Sequence, residues 1–209
     1  MARKTNNTSE SFDGWQLFEA EAQYAESIFR NALGDIEASI AAAQRALEIK
    51  PDYAPAILTM GSIEYQRGRE AKGKRLFHSL LSLPDEFGDL WQVIDKAGNF
   101  LIQSKKYREA LEIYKGAVSR FPDRAVIYQG LGCCAGHQGL FDEAVAAARK
   151  VLDLEPDRQD LTNDLGWSLF EAGRLKEAEE MLLRAVAMDA SDDLARENLR
   201  LCQAALSKK

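Results

Sequence analysis

A turn glycine recurs through the chain at a nearly constant spacing, and this period constrains the fold more than any other feature. Gly34 and Gly68 are 34 residues apart, and the same interval separates Gly139 from Gly173. Glycine adopts the left-handed conformation found at helix ends without a steric penalty. Apolar residues recur at three- and four-residue intervals on both sides of each glycine, which predicts two amphipathic helices per unit. One helix pair cannot bury both of its faces, so the units are expected to stack on one another.

The period is interrupted once, between the second and third units. Residues 84–89 read PDEFGD, and the next turn position is Lys105, 37 residues after Gly68. A three-residue insertion is therefore predicted in this segment. The second unit is also the least regular, because polar Glu70 stands at the apolar position after the turn and Leu80 stands at the last small position. In addition, Gly73 stands where other units have Ala or Ser. Glycine inside a helix costs roughly 1 kcal/mol relative to alanine, so the second helix of this unit is predicted to be weak.

The sequence predicts a single domain over residues 12–206. Residues 1–11 are polar and are expected to form a disordered tail. Asp13, or alternatively Ser11, is predicted to cap the first helix. The five helix-pair units are predicted at about 20–53, 54–88, 91–124, 125–158 and 159–192, with a capping helix at 193–206.

Small residues recur at equivalent places in the units. In the first helices they are Ser27, Gly61, Gly98, Gly132 and Gly166. In the second helices they are Ser39, Gly73, Ala110, Ala144 and Ala178, followed by Ala46, Ala117 and Ala185 and by the closing prolines Pro51, Pro122 and Pro156. This pattern resembles that of the tetratricopeptide repeat family. The resemblance implies an all-α fold, a right-handed α-solenoid of antiparallel helix pairs, whose first helices line an inner groove that binds a protein or peptide segment.

Composition narrows the function classes. The 209-residue chain has a formal net charge of −6, which argues against general nucleic-acid binding because that requires a broad basic surface. Three cysteines, two of them adjacent, do not form the framework of a secreted disulfide protein and fit a reducing compartment. The first residues lack the apolar run of a signal peptide, and no stretch is long enough to span a membrane. A cytoplasmic location is therefore expected.

The groove predicted by the resemblance is lined by amides, acids and aromatic side chains. Its candidate residues are Tyr24, Ile28, Leu58, Ser62, Tyr65, Asp95, Asn99, Gln129, Cys133, His137, Asn163 and Trp167. Amides can satisfy the backbone of a bound peptide, and tryptophan is a frequent binding anchor. The alternative is that Trp167 and Phe170 pack beneath the capping helix. In chaperone-binding members of the family, Lys and Asn side chains of the first units hold a terminal carboxylate. The matching positions here are Tyr24, Ile28, Leu58 and Ser62, so chaperone-tail peptides are not expected to bind.

Cys133 and His137 lie one helical turn apart and could supply two metal ligands. A structural zinc site needs four ligands, and no second pair lies near them in the sequence. We therefore interpret both as groove-wall residues, and Cys134 as a helix-packing residue. Neither a catalytic Ser/His/Asp set nor a phosphate-binding loop is present, so no enzymatic activity, cofactor or metal is predicted.

Basic residues surround the turn of the second unit, and Glu70 is the only acidic residue among residues 67–75. They are Arg67, Arg69, Lys72, Lys74 and Arg75. Such a cluster indicates either an electropositive docking patch for an acidic partner or an ordinary solvated turn.

Two functions remain open from the sequence. The first is a non-catalytic scaffold or adaptor that binds a protein or peptide segment in the groove. The second is a chaperone of tetratricopeptide type for secreted substrates, like those of type III secretion. Self-association through an end of the array is also open, with Trp15 and Phe18 at one end and the Leu194–Leu206 face at the other.

Overall fold

The computed structural model describes residues 9–85 and 88–208, with side chains from residue 14 onward. Within these ranges it contains eleven α-helices and no β-strand, which confirms the predicted all-α class. The helices are α1 (Ser9–Ala32), α2 (Ile36–Ile49), α3 (Ala54–Gln66), α4 (Glu70–Leu80), α5 (Leu90–Gln103), α6 (Tyr107–Val118), α7 (Ala125–His137), α8 (Phe141–Leu154), α9 (Gln159–Glu171), α10 (Leu175–Met188) and α11 (Asp193–Leu206). None of the helices in the described part of the chain is long and apolar enough to cross a membrane.

The helices form two compact units, Met1–Ala97 and Gly98–Lys209, whose boundary falls inside α5. We call them the N-terminal and C-terminal units. In the N-terminal unit α1 packs on α2 and α3 packs on α4. In the C-terminal unit each of the helices α6 to α11 packs on the next along the chain. Within each unit, neighbouring helices of the sequence are therefore neighbours in space, as a stack of helix pairs requires.

The turn positions predicted from the period adopt the left-handed conformation that gives glycine its role there. Gly34, Gly68, Gly139 and Gly173 have φ values of +79°, +74°, +72° and +73°. Lys105 occupies the same conformation, with φ of +58°. The equivalence of Lys105 with the four turn glycines is therefore confirmed, although a side chain is disfavoured in this region.

Small residues allow close approach between helices within each unit. A Cβ atom added to Gly61 would lie 2.4 Å from the Phe77 ring, and one added to Gly166 would lie 2.7 Å from Leu182. Such distances are far below van der Waals contact, so these positions accept only glycine without a local rearrangement. The apolar stripes of paired helices can then merge into one core.

Gly73 has a packing role that the sequence did not indicate. A Cβ atom at this position would lie 2.5 Å from the Tyr65 ring and 2.9 Å from the carbonyl oxygen of Gly61. Glycine is therefore required where α4 meets α3. The predicted weakness of this helix rested on helix propensity alone, which does not reveal the tertiary contact.

The beginning of the first helix also differs from the prediction. Helix α1 already includes Ser9, the first described residue, so Asp13 and Ser11 lie within the helix and neither is its N-cap. Residues 9–11, which were predicted to belong to a disordered tail, are helical. The rest of that predicted tail, residues 1–8, lies outside the described residues.

The last helix covers the end of the C-terminal unit. Asp192 caps α11 by accepting a hydrogen bond from the backbone N–H of Leu194 at 2.9 Å. The helix buries Ala195 and Cys202, and Cys202 belongs to a hydrophobic cluster with Leu169 and Leu182. Its bounds coincide with those expected for a capping helix.

Candidate peptide-binding groove in the C-terminal unit

A cavity of about 520 Å³ lies between α7 and α9 and has α8 at its base. We call it the α7/α9 groove. Its walls and base are formed by Tyr128, Gln129, Gly132, Cys133, Gly136 and His137 of α7, by Ala144, Ala148 and Val151 of α8, and by Leu161, Asp164, Trp167, Ser168 and Glu171 of α9. This volume is within the usual range for ligand-binding clefts.

The spacing of small residues explains why the groove is open. Gly132 and Gly136 are four residues apart on α7, so both lie on the helix face that lines the cavity. Ala144 and Ala148 repeat this spacing on α8. Because none of these side chains extends beyond a methyl group, the space between the two walls remains empty. The sequence identified Gly132 and Ala144 only as recurring small residues, and the groove that they open was not predicted.

Two neighbouring aromatic residues of α9 have different surroundings. The rings of Trp167 and Phe170 have centroids 5.1 Å apart and are tilted by 30°. Phe170 packs against the hydrophobic cluster that contains Cys202 of α11. Trp167 is half-buried and lines the groove. The alternative considered from the sequence, that both pack beneath the capping helix, therefore describes Phe170 and not Trp167.

His137 is held in the opposite wall by an aromatic contact. Its ring stacks on Tyr107 of α6, with centroids 3.9 Å apart and an interplanar angle of 17°. Stacking fixes the plane of the imidazole while the residue still lines the groove. The groove therefore has an aromatic group on each side, His137 on α7 and Trp167 on α9.

The charged groups in the groove are acidic. Asp164 and Glu171 lie on the α9 wall, and there is no Lys or Arg among the described residues that line the cavity. The pKa of Asp164 is raised, chiefly because neighbouring protein removes its carboxylate partly from water and next because of the nearby negative charge of Asp160. Asp160 is itself paired with Arg158, with oxygen–nitrogen distances of 2.6 and 2.9 Å. A cation entering the groove would therefore meet a carboxylate that is partly removed from water.

The cysteines beside the groove are not poised for nucleophilic chemistry. Burial by neighbouring protein raises the pKa of Cys133, although the residue remains exposed at the groove wall. Burial raises the pKa of Cys134 to about 12, with a smaller contribution from Cys133. Both thiols therefore remain protonated near neutral pH, whereas the thiolate is the reactive form. Over residues 9–85 and 88–208, no three His, Cys, Asp or Glu side chains are arranged to hold a metal ion.

The groove residues predicted from the sequence are dispersed in the structure. Four of them line the α7/α9 groove, namely Gln129, Cys133, His137 and Trp167. Asp95 and Asn99 lie on α5, on either side of the unit boundary.

Two other predicted groove residues lie in the protein interior. Tyr65 is buried and stacks on Phe77, with ring centroids 5.4 Å apart. Asn163 is also buried, and its side-chain oxygen accepts a hydrogen bond from Asn198 of α11 at 3.0 Å. The prediction that Tyr65 and Asn163 face a groove was wrong, because each lies on the face of its helix that packs against a neighbour.

The predicted residues of α1 and α3 are largely engaged with each other. The Tyr24 hydroxyl is hydrogen-bonded to the Thr59 hydroxyl at 3.1 Å. The Ser62 hydroxyl donates to the backbone oxygen of Leu58 at 3.0 Å, so it is occupied within its own helix. Ile28 is exposed. A role for this region in ligand binding stays a prediction.

The basic residues of the second unit are partly neutralised by ion pairs within the N-terminal unit. Glu64 is only 2% exposed, and it accepts a hydrogen bond from the guanidinium of Arg69 while its other oxygen lies 3.1 Å from the Lys72 ammonium. The Arg69 hydrogen bond is the largest cause of the lowered pKa of Glu64. Arg67 pairs with Glu37 of α2. The predicted charge balance, in which Glu70 alone opposed these cations, was wrong, because Glu64 and Glu37 come close to them in the folded protein.

Three protein-family models match the chain, and each is described as tetratricopeptide repeat. They match residues 20–53, 96–154 and 137–202, which together make up more than half of the chain. A curated relative is the small glutamine-rich tetratricopeptide repeat-containing protein 2 of Mycosarcoma maydis, which is 27% identical over 110 residues. The match covers 53% of this chain and 31% of that protein, so the matched part of this chain spans about a third of the relative's length.

Solved structures share the fold. YrrB, described as a TPR protein with an unusual peptide-binding site, matches with a TM-score of 0.60 and 20% identity over 92% of this chain and 97% of its own. The first TPR of Spaghetti (RPAP3), bound to the HSP90 peptide SRMEEVD, matches with a TM-score of 0.53 and 20% identity over 56% of this chain and 93% of its own. At these identities the likeness shows the fold alone, a helical array of the tetratricopeptide type.

Proposed function

Since the chain belongs to the tetratricopeptide repeat family, we propose that it is a non-catalytic interaction protein whose α7/α9 groove binds a segment of a partner protein. The observation that carries this proposal is the groove itself. It combines an open volume, aromatic groups on both walls and polar side chains that can pair with a peptide. Proteins of this family are generally interaction modules, and two structures of the same fold are described by their peptide site or bound peptide.

The polar groups suit the backbone of a bound segment. Gln129 offers both a donor and an acceptor, and the Ser168 hydroxyl donates to the backbone oxygen of Asp164 at 2.9 Å, which leaves its oxygen available as an acceptor. Trp167 provides a large apolar surface that is already half-buried in the free protein. Ordering such a side chain on binding costs less conformational entropy than ordering an exposed, mobile one. Trp167 is therefore the anchor of the proposed contact.

The charge of the groove selects the chemistry of the partner. Asp164 and Glu171 favour a Lys or Arg side chain, which can form charge-assisted hydrogen bonds with carboxylates. The face of Trp167 adds a cation–π contribution. An acidic segment would instead bring like charges together. We therefore propose a partner segment with at least one basic and one apolar side chain, and this agrees with the expectation that acidic chaperone tails do not bind.

The test starts from random peptides displayed on phage and selected on the full-length wild-type chain. The recovered peptides, made synthetically, are then titrated by calorimetry against wild type, Trp167→Ala and Trp15→Ala. Trp167→Ala should weaken binding by at least about tenfold, the equivalent of 1.4 kcal/mol. Trp15→Ala removes a tryptophan from the N-terminal unit and should bind as wild type does. Circular dichroism checks that both variants remain helical. Equal affinity of Trp167→Ala and wild type would refute the assignment of the groove.

The charge preference has its own test within the same experiment. Asp164→Asn and Glu171→Gln should weaken the binding of peptides that contain Lys or Arg, and should reduce the dependence of that binding on salt. Glu180→Gln removes a carboxylate from the exposed surface of α10 and serves as the matched control. If the selected peptides are acidic and their binding still requires Trp167, the α7/α9 groove is the binding site but the proposal of a basic partner segment is wrong.

A further inference from the structure

Helix α1 carries an exposed apolar stripe along its length. The residues follow a three–four spacing that places them on one face of the helix and its end. They are Trp15, Phe18, Ala22, Ala25, Phe29 and Leu33. The exposed fractions of the four large side chains are 70%, 64%, 57% and 64%. Both alanines are also exposed. We call this set the α1 stripe.

The α1 stripe is separate from the face that α1 uses within its own unit. Ala20 and Ser27 are buried, and the Ser27 hydroxyl is hydrogen-bonded to that of Ser39 on α2 at 3.1 Å. The inward face of α1 is therefore already packed within its own unit, and the α1 stripe is a second, separate face. Large exposed apolar patches on soluble proteins mark interaction sites. An exposed apolar face of this length thus indicates that something covers it.

We propose that the α1 stripe of one copy is covered by the same stripe of a second copy, with the two helices antiparallel about a two-fold axis. The stripe reads large, large, small, small, large, large in both directions. Antiparallel pairing places Phe18 opposite Phe29 and Ala22 opposite Ala25. The small residues then meet at the crossing, where two helices must approach most closely. A two-fold interface requires a surface that complements itself in this way.

The area of the stripe is sufficient for a weak dimer. A buried aromatic side chain removes 150–250 Å² from water. With the exposed fractions above, the three aromatics and Leu33 offer roughly 500–600 Å² per copy. The two copies would therefore bury about 1,000–1,200 Å² in total, at the low end of specific interfaces. The dimer should dissociate on dilution.

The charged residues beside the stripe are compatible with this pairing. Arg30 pairs with Glu26 on the same helix, with a nitrogen–oxygen distance of 2.6 Å. In the antiparallel arrangement Glu19 of one copy lies near this pair on the other copy. Arg30 can therefore interact with carboxylates of both chains, which reduces repulsion between the two acidic flanks.

The proposal is tested by sedimentation equilibrium of the full chain over a range of concentrations. Wild type should show a monomer–dimer equilibrium. Phe18→Glu and Ala22→Glu should each weaken it by at least about thirtyfold, because each introduces a charge into the buried centre of the interface. Both positions are exposed in the monomer, so their circular dichroism spectra should match wild type. Leu194→Glu replaces a leucine on α11 whose exposed fraction, 61%, is similar to that of Phe18, and it should leave the dimer intact.

The orientation of the helices is tested by a spin label at residue 14. Gly14→Cys in a Cys133→Ser background provides the labelling site, since Cys134 and Cys202 are buried. With a rise of 1.5 Å per residue and helix axes about 8–10 Å apart, antiparallel pairing places the two labels about 30 Å apart, whereas parallel pairing places them about 10 Å apart. A wild-type chain that remains monomeric at all concentrations overturns the proposal. So does a dimer that tolerates Phe18→Glu and Ala22→Glu but is lost in Leu194→Glu.

Discussion

Substitution of Gly130 by alanine should destabilise the C-terminal unit, although alanine is the better helix former. Tyr114 of α6 is completely buried and lies between the backbones of α5 and α7. A Cβ atom on Gly130 would lie 2.1 Å from the Tyr114 ring, and one on Gly98 would lie 2.4 Å from it. Carbon atoms normally approach to 3.5–4.0 Å. The ring cannot withdraw from Gly130 without moving toward Gly98, so the overlap cannot be relieved by a simple side-chain rotation.

The two opposing contributions can be compared. Alanine gains about 1 kcal/mol over glycine in helix propensity. Overpacking of a tight core costs about 1–3 kcal/mol and sometimes more, and the confined ring places this substitution at the upper end. A net loss of about 2 kcal/mol is expected for Gly130→Ala. For a protein of this size the melting temperature should fall by about 4–8 °C.

A matched control lies on the same helix. The nearest atom to a Cβ on Gly136 is a carboxylate oxygen of Glu171 at 3.7 Å, which is an ordinary contact. Gly136→Ala should therefore stabilise the protein by up to about 1 kcal/mol through helix propensity alone. Urea unfolding followed by circular dichroism measures both variants. If Gly130→Ala is as stable as Gly136→Ala, Tyr114 does not occupy the space assigned to it and the reasoning fails.

Two further predictions concern the ion cluster and the unusual turn. The lowered pKa of Glu64 means that its ionised form contributes stability above the unfolded pKa, near 4.5, and that this contribution is lost as the pH falls through the folded value. In urea unfolding at a series of pH values, the free energy of unfolding should therefore fall less on acidification in Glu64→Gln than in wild type. An equal dependence on pH in the two proteins would contradict the role of Glu64. Lys105→Gly should raise the free energy of unfolding by about 0.5–1 kcal/mol, since glycine adopts positive φ without steric cost. Lys105→Ala retains the strained conformation and should give little gain; equal stabilisation by both variants would show that φ is not the cause.

The features that the sequence predicted are those determined by local backbone geometry. The turn residues could be placed because a positive φ favours glycine wherever it occurs, and the period identified Lys105 as the exception. The helix pairs could be predicted from the spacing of apolar residues because the helical period is also a local property of the backbone. The predictions were wrong or incomplete where a residue contacts a side chain of another helix. Gly73 looked unfavourable because the sequence does not reveal that the Tyr65 ring lies above it.

The candidate groove was predicted in part, again for a physical reason. Residues spaced by one helical turn share a face, and this placed Cys133 and His137 together in one wall. Asn163 lies only four residues before Trp167, but α11 approaches that part of α9 and buries the amide. The charge balance of the second unit was also mispredicted. Glu64 and Arg69 lie on opposite sides of the turn between α3 and α4, and they pair because the packing of these helices buries the Glu64 carboxylate beside Arg69.

The charged outer surface of α11 limits what the protein can build from copies of itself. Arg200 and Glu197 pair along that helix at 2.6 and 2.8 Å, so the exposed surface of α11 carries charges beside Leu194. If α11 instead carried a second apolar stripe, the pairing of α1 stripes proposed above would leave another adhesive surface open, and the chains would grow into fibres. With charges on α11, the proposed association would stop after a single contact. A concentrated solution of the protein should therefore remain free of filaments.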